Sequence, residues 1–178
     1  MSGKIVSPPP LPQDVLQRVL RLAAADGRLL LTIAGVFALL AAAVREGPGT
    51  VAGVLAAGAG ALELHGVSIL RQGEPRGLRW LVGSQGLLLL VVIAYAVVRL
   101  MLLDTDAIAQ HITPEIDQKL AAAGMTRDEL MATTRLLFQL GYGLLIVGTL
   151  CYQGGMMWFF LRRRHAVAQA LQAEPPED

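Results

Sequence analysis

A single cysteine, Cys151, stands in the 178 residues. That excludes an internal disulfide and a CxxC redox pair, and with them quinone-linked disulfide chemistry. Charge is scarce: Asp, Glu, Lys and Arg make up 16% of the chain, where a soluble domain carries about 25%. Lysine is nearly missing, 2 residues against 13 arginines. A net charge of +1 argues against nucleic acid as a partner. Of the 3 histidines only His65 falls in an apolar run, so two axial ligands for a membrane haem are lacking. HExxH and GxxxxGK[ST] are absent, and no apolar run holds a Ser/His/Asp constellation. No catalytic residue, metal site or cofactor is therefore assigned, and a non-enzymatic role is expected. Residues 1–27 contain prolines and charges but no apolar core ending in a small-residue cleavage site, so no signal peptide is read there.

What is abundant is apolar sequence. Hydrophobic residues make up 54% and the mean hydropathy is +0.53, which points to an integral membrane protein of one domain. The arginine, alanine and glycine bias fits a GC-rich bacterial genome. The stretch from Val51 to Leu103 organises the rest. Two runs there, each about 20 residues or longer, have the length a helix needs to cross a bilayer. They flank a short basic connection, RQGEPRGLR at 71–79. Another span precedes them, Arg28 to Val44, ended by Arg45, Glu46 and a GPG turn at 47–49. A fourth follows, Arg135 to Leu161, with Trp158, Phe159 and Phe160 as an interfacial belt and Arg162 to Arg164 as its stop.

These runs predict an all-α fold: a four-transmembrane-helix bundle with an N-terminal interfacial amphipathic helix and a small helical cap between spans 3 and 4. Residues 1–12 form a disordered Pro-rich lead. Residues 13–27 have one broad apolar face interrupted by Gln17, Arg18 and Arg21, the pattern of a helix lying in the headgroup plane. The membrane domain covers 28–164 and includes the outer cap at 104–134. In the cap, Thr113-Pro114-Glu115 reads as a helix start, Gly124 as its stop, and Thr126 to Glu129 as a capping box that opens the helix of span 4. Residues 165–178 form a disordered acidic tail.

The distribution of charge predicts orientation. With four spans, both termini and the 71–79 loop share one side, which carries ten basic residues against five on the other. By the positive-inside rule both termini are cytoplasmic, and the membrane is the bacterial inner membrane.

Polar residues inside the spans are the candidate site. Glu63 lies eight residues from Arg71, Gln85 six from Arg79 and Gln153 nine from Arg162. At about 1.5 Å rise per residue all three sit some 9–14 Å inside the membrane. A buried polar cluster of Glu63, Ser84, Gln85, Tyr152 and Gln153 is predicted. It is read either as hydrogen-bonded cross-links between helices or as an ion, proton or substrate path marked by an intramembrane carboxylate. A second set, Ala52, Gly53, Ala56, Ala57 and Gly60, has the small-xxx-small spacing that lets helix backbones approach closely. A third, His65, Arg71, Arg76 and Arg79, is placed to touch anionic lipid headgroups. Asp104, Asp106, His111 and Glu115 are read as solvated helix-start acids, with a divalent-ion site as the alternative. Cys151 is expected to be a buried small apolar residue, and Gly154-Gly155 to mark close approach of another helix. The lipid bilayer is the expected partner, with homo-oligomers formed through the small residues. The expected function is that of an assembly or scaffold protein without a catalytic site; the alternatives are a channel or carrier with Glu63 in its path and, after it, a lipid-handling protein.

Overall fold

The computed structural model describes residues 11–102, 122, 124 and 126–173. Among them are four helices and no strand: α1 (Pro12–Ala43), α2 (Gly47–Arg71), α3 (Gly77–Met101) and α4 (Arg127–Gln172). Each is long and apolar enough to cross a membrane. The Pro-rich lead through residue 10, the helix expected from Thr113 with its group of acids and His111, and the last five residues of the tail lie outside the described residues.

Short connections make α1, α2 and α3 antiparallel neighbours. α1 packs on α2, α2 on α3, α3 on α4, and α4 returns to α1 through the sparsest of these four contacts. The first connection differs from the expected GPG turn. Gly47 and Pro48 open α2, where a missing N–H costs nothing. The turn is Val44 to Glu46. Arg45 N–H donates to the Ala42 carbonyl (3.0 Å) and Glu46 N–H to that of Ala41 (2.8 Å), with Arg45 in the left-handed region at φ 58°. This is the Schellman pattern, and it recurs after α2 with Gly73 (φ 81°) in the same place. The Thr126–Glu129 capping box that opens α4 is formed.

α1 departs from the expected division at residue 27. Asp26, Gly27 and Arg28 lie inside one continuous helix. Val15, Val19, Ala23 and Ala24 are buried, and the last three join a core that includes Val67 and Leu70 of α2, Leu78 and Leu81 of α3, and Phe160 and Val167 of α4. This segment therefore extends the bundle in place of forming a separate helix. Phe160 is correspondingly a core residue and not part of a belt. Trp158 is exposed beneath the Arg162 guanidinium, and half-buried Phe159 stacks with that of Arg163.

α1 and α2 approach through their small residues. A Cβ on Gly53 would stand 2.8 Å from Ala38 Cα, and one on Gly60 2.8 Å from Leu31 N and 2.9 Å from the Gly27 carbonyl. Ala52, Ala56 and Ala57 are half-buried. The small-residue stripe of α2 thus contacts α1 of its own chain at its two glycines. On α4 the reverse holds. No residue from Arg127 through Tyr152 is buried. Cys151 is exposed, contrary to expectation. Gly154 and Gly155 also depart from expectation: no atom lies within 4 Å of a Cβ built on either.

Overpacking a tight contact costs roughly 1–3 kcal/mol. Gly53→Leu and Gly60→Leu should each lower the thermal unfolding midpoint of detergent-solubilised protein, whereas Gly58→Leu, in open space, should not. Equal effects at all three positions would refute the α1–α2 contact.

Candidate functional site

One polar layer draws on all four helices. On α1, Asp26 is half-buried. Its carboxylate accepts the Gln85 Nε2–H of α3 (3.1 Å) at one oxygen and the Tyr152 hydroxyl of α4 (2.8 Å) at the other. On α2, Glu63 is fully enclosed, at 0% exposure. Its carboxyl interacts with the Gln85 amide and the Asp26 carboxyl, but neither oxygen has a partner in good hydrogen-bond geometry. Gln85 and Gln153 are buried too, and the Oε1 of each is without a partner.

Asp26 thus joins three helices, and the residues reach it by simple register. Val15, Val19, Ala23 and Asp26 are spaced 4, 4 and 3, which holds them on one helix face. On α2, Val67 and Leu70 follow Glu63 by four and seven residues. On α3, Leu81 and Leu78 precede Gln85 by four and seven. The hydrophobic core therefore lies one to two turns from the polar layer on every one of these helices, always toward the 72–76 connection. The layer is sealed at that end by Leu81, Val67 and Phe160. Sideways it is open: Asp26 is only half-buried and Tyr152 is 53% exposed.

Of the five residues predicted for this cluster, Glu63, Ser84, Gln85 and Gln153 are buried and Tyr152 is not. Ser84 makes no link between helices, since its hydroxyl donates to the Leu81 carbonyl of its own helix (2.9 Å). Asp26 was missed. The signal for it was the apolar spacing from Val15 onward, which turns it inward.

The chemistry of the layer follows from its inventory of donors and acceptors. The four buried side-chain atoms left without partners among the described residues are Glu63 Oε1 and Oε2, Gln85 Oε1 and Gln153 Oε1. All four are acceptors. An ionised carboxylate can only accept, while a protonated one carries an O–H. A proton on Glu63 adds an O–H donor to a layer whose unpartnered buried atoms are all acceptors.

A second polar group ties the opposite end. The Arg99 guanidinium of α3 meets Glu46 Oε1 (3.3 Å) and donates through Nε to the Tyr142 hydroxyl of α4 (3.2 Å). Phe37, Tyr95, Tyr142 and Phe138 form a run of ring contacts around it, with centroids 6.2–6.3 Å apart. Here the charge is neutralised.

The predicted headgroup residues do not converge. His65 sits edge-on to Trp80 (centroids 5.2 Å), Arg76 pairs with Glu74, and Arg71 and Arg79 are exposed. Among the described residues no group of three His, Cys, Asp or Glu side chains is placed to hold a metal ion.

Among the described residues, fold and site together define an all-helical protein with four helices of membrane-spanning length and a polar layer between them whose unpartnered buried atoms are acceptors. No protein-family model matches the sequence, and no curated protein or solved structure is significantly similar to it.

Asp26→Ala leaves the Gln85 amide and Tyr152 hydroxyl without their acceptor and should destabilise by about 1–3 kcal/mol. Glu63→Met removes an unpaired carboxyl at similar volume and should be neutral or stabilising. Thermal unfolding in detergent checks both; a greater loss in the Glu63 variant would reverse the roles assigned to the two carboxyl groups.

Proposed function

We propose that the chain is a small integral membrane protein that carries or conducts a proton or small cation, with Glu63 and Asp26 as the binding groups. The carrying observation is that the unpartnered buried side-chain atoms are all acceptors. Burying an ionisable group in a membrane costs at least about 2.5–3.5 kcal/mol on insertion scales. Glu63 offsets little of that, since neither oxygen has a partner in good hydrogen-bond geometry, which supports a binding role over a purely structural one. The hydrophobic core blocks the layer toward the 72–76 connection, which favours access from the flank at Asp26 and Tyr152. In this reading the membrane is the bacterial inner membrane, both termini and the 71–79 loop are cytoplasmic, the first turns of α1 stand at headgroup level, and 104–134 forms the outer cap. The test is flux in proteoliposomes under an imposed pH gradient. Glu63→Gln and Asp26→Asn should each abolish it; flux unchanged in both, or absent from folded native protein, would overturn the assignment.

A second reading, assembly through self-association, is favoured by α4. Its outer half buries nothing within the chain, and Gly141, Gly143, Gly148, Gly154 and Gly155 all face open space. Small residues on an uncovered helix let a second backbone approach. The stripe on α2 supports this less, because its two glycines already contact α1. Exposed Cys151 is a built-in reporter: oxidation in the native membrane should give a covalent dimer if α4 pairs with α4. Protein that stays monomeric there and in detergent at all concentrations would exclude self-association.

A further inference from the structure

We infer that the groove between the N-terminal half of α1 and the end of α2 is a binding site for the phosphodiester headgroup of an anionic phospholipid. The groove has a volume of about 440 Å³; Arg21, Arg28 and Arg71 stand around it over a floor that includes Leu20, Ala24 and Ala25. No acid lines it. Among the described residues none of the three arginines has an ion-pair partner, in contrast to Arg76 and Arg99.

Depth makes this a lipid site. The contacts of Gly53 with Ala38 and of Gly60 with Leu31 and Gly27 fix the register of the two helices. They put Arg21 level with the end of α2 and Arg28 about two turns deeper, near the level of Glu63. Side chains on a helix lean toward its N-terminus, so Arg28 leans toward Arg21 and Arg71. The long apolar stem of arginine suits this snorkelling position. A guanidinium at that depth without an acid needs an anion, and a phosphodiester offers two oxygens to its fork of donors. A free phosphate would leave the Leu20, Ala24 and Ala25 floor bare, while an acyl chain covers it.

The inference rests on the membrane location proposed above and is independent of the proton chemistry. In the test, full-length protein is extracted from membranes, and lipid adducts are measured by native mass spectrometry with phosphatidylglycerol or phosphatidylcholine added, each with and without inorganic phosphate. Phosphatidylglycerol should bind preferentially and survive the phosphate. The apparent Kd should weaken about fivefold for each arginine lost, the factor equivalent to about 1 kcal/mol per basic residue at an anionic membrane surface. Arg21→Gln/Arg28→Gln/Arg71→Gln should lose the preference, and Arg76→Gln/Arg79→Gln should keep it. If the triple variant does not fold, Arg71→Gln alone should show the single fivefold step. Equal binding of both lipids, equal loss in the control pair, or displacement by inorganic phosphate overturns the site. Protein missing from the membrane fraction overturns the location as well, whereas membrane protein without headgroup preference overturns the site alone.

Discussion

Two carboxyl groups on adjacent helices, Asp26 and Glu63, share one polar layer, closed toward the 72–76 connection and open at its flank, and the donors are divided unequally between them. In an apolar environment an unpaired polar group is costly because no water replaces its partner. Asp26 takes the available donors, one from α3 and one from α4, and Glu63 takes none. The asymmetry separates the roles of the two acids. Asp26 ties helices together through two hydrogen bonds, while Glu63 is enclosed with neither oxygen in a well-formed one.

The Arg99 group at the other end makes the contrast plain. There an acid, a base and a phenol satisfy one another across the first connection, α3 and α4. A neutralised group of this kind is what a structural polar contact looks like in this protein. Glu63 is more deeply enclosed than Glu46 and has no such complement. Architecture alone accounts for Arg99 and Glu46 but leaves Glu63 unexplained.

Much of this was legible from residue spacing. Counting from the arginines that end each span placed Glu63, Gln85 and Gln153 at one depth, and all three are buried. The capping box at Thr126 was legible because its two bonds are local. Asp26 was not, because a charge followed by glycine and arginine reads as a helix boundary. Only the long-range contact of Gly27 with Gly60 and Leu64 shows that the helix continues. The same limit applies to the glycines. Spacing marks a helix as able to pack closely but does not say against what, so Gly53 and Gly60 meet α1 while Gly154 and Gly155 meet nothing. The arginine groove was hidden for a related reason: Arg21 and Arg28 are 50 and 43 residues from Arg71, and a reading by loops grouped Arg71 with Arg76 and Arg79.

α4 shows how few interactions position the longest helix. Beyond the core around Phe160 and Val167 and the ring contact of Tyr142 with Tyr95, two hydrogen bonds tie it to the other helices among the described residues, Tyr152 on Asp26 and Tyr142 on Arg99. They lie ten residues apart, about 15 Å along the axis. Between them no residue is buried, so van der Waals packing is thin there and directional bonds set the register. Arg135, Gln139, Tyr142 and Gln153 are spaced four, three and eleven apart, which keeps them on one helix face, yet Arg135 and Gln139 are exposed while Gln153 is enclosed. The spacing keeps Tyr142 and Gln153 on the side of α3 and α1, and Tyr152 lies next to that face. The rest of the helix surface is free to follow whatever apolar medium surrounds it. A helix held this way depends on its two partners, the acceptor Asp26 and the donor Arg99, and Asp26 sits beside Glu63.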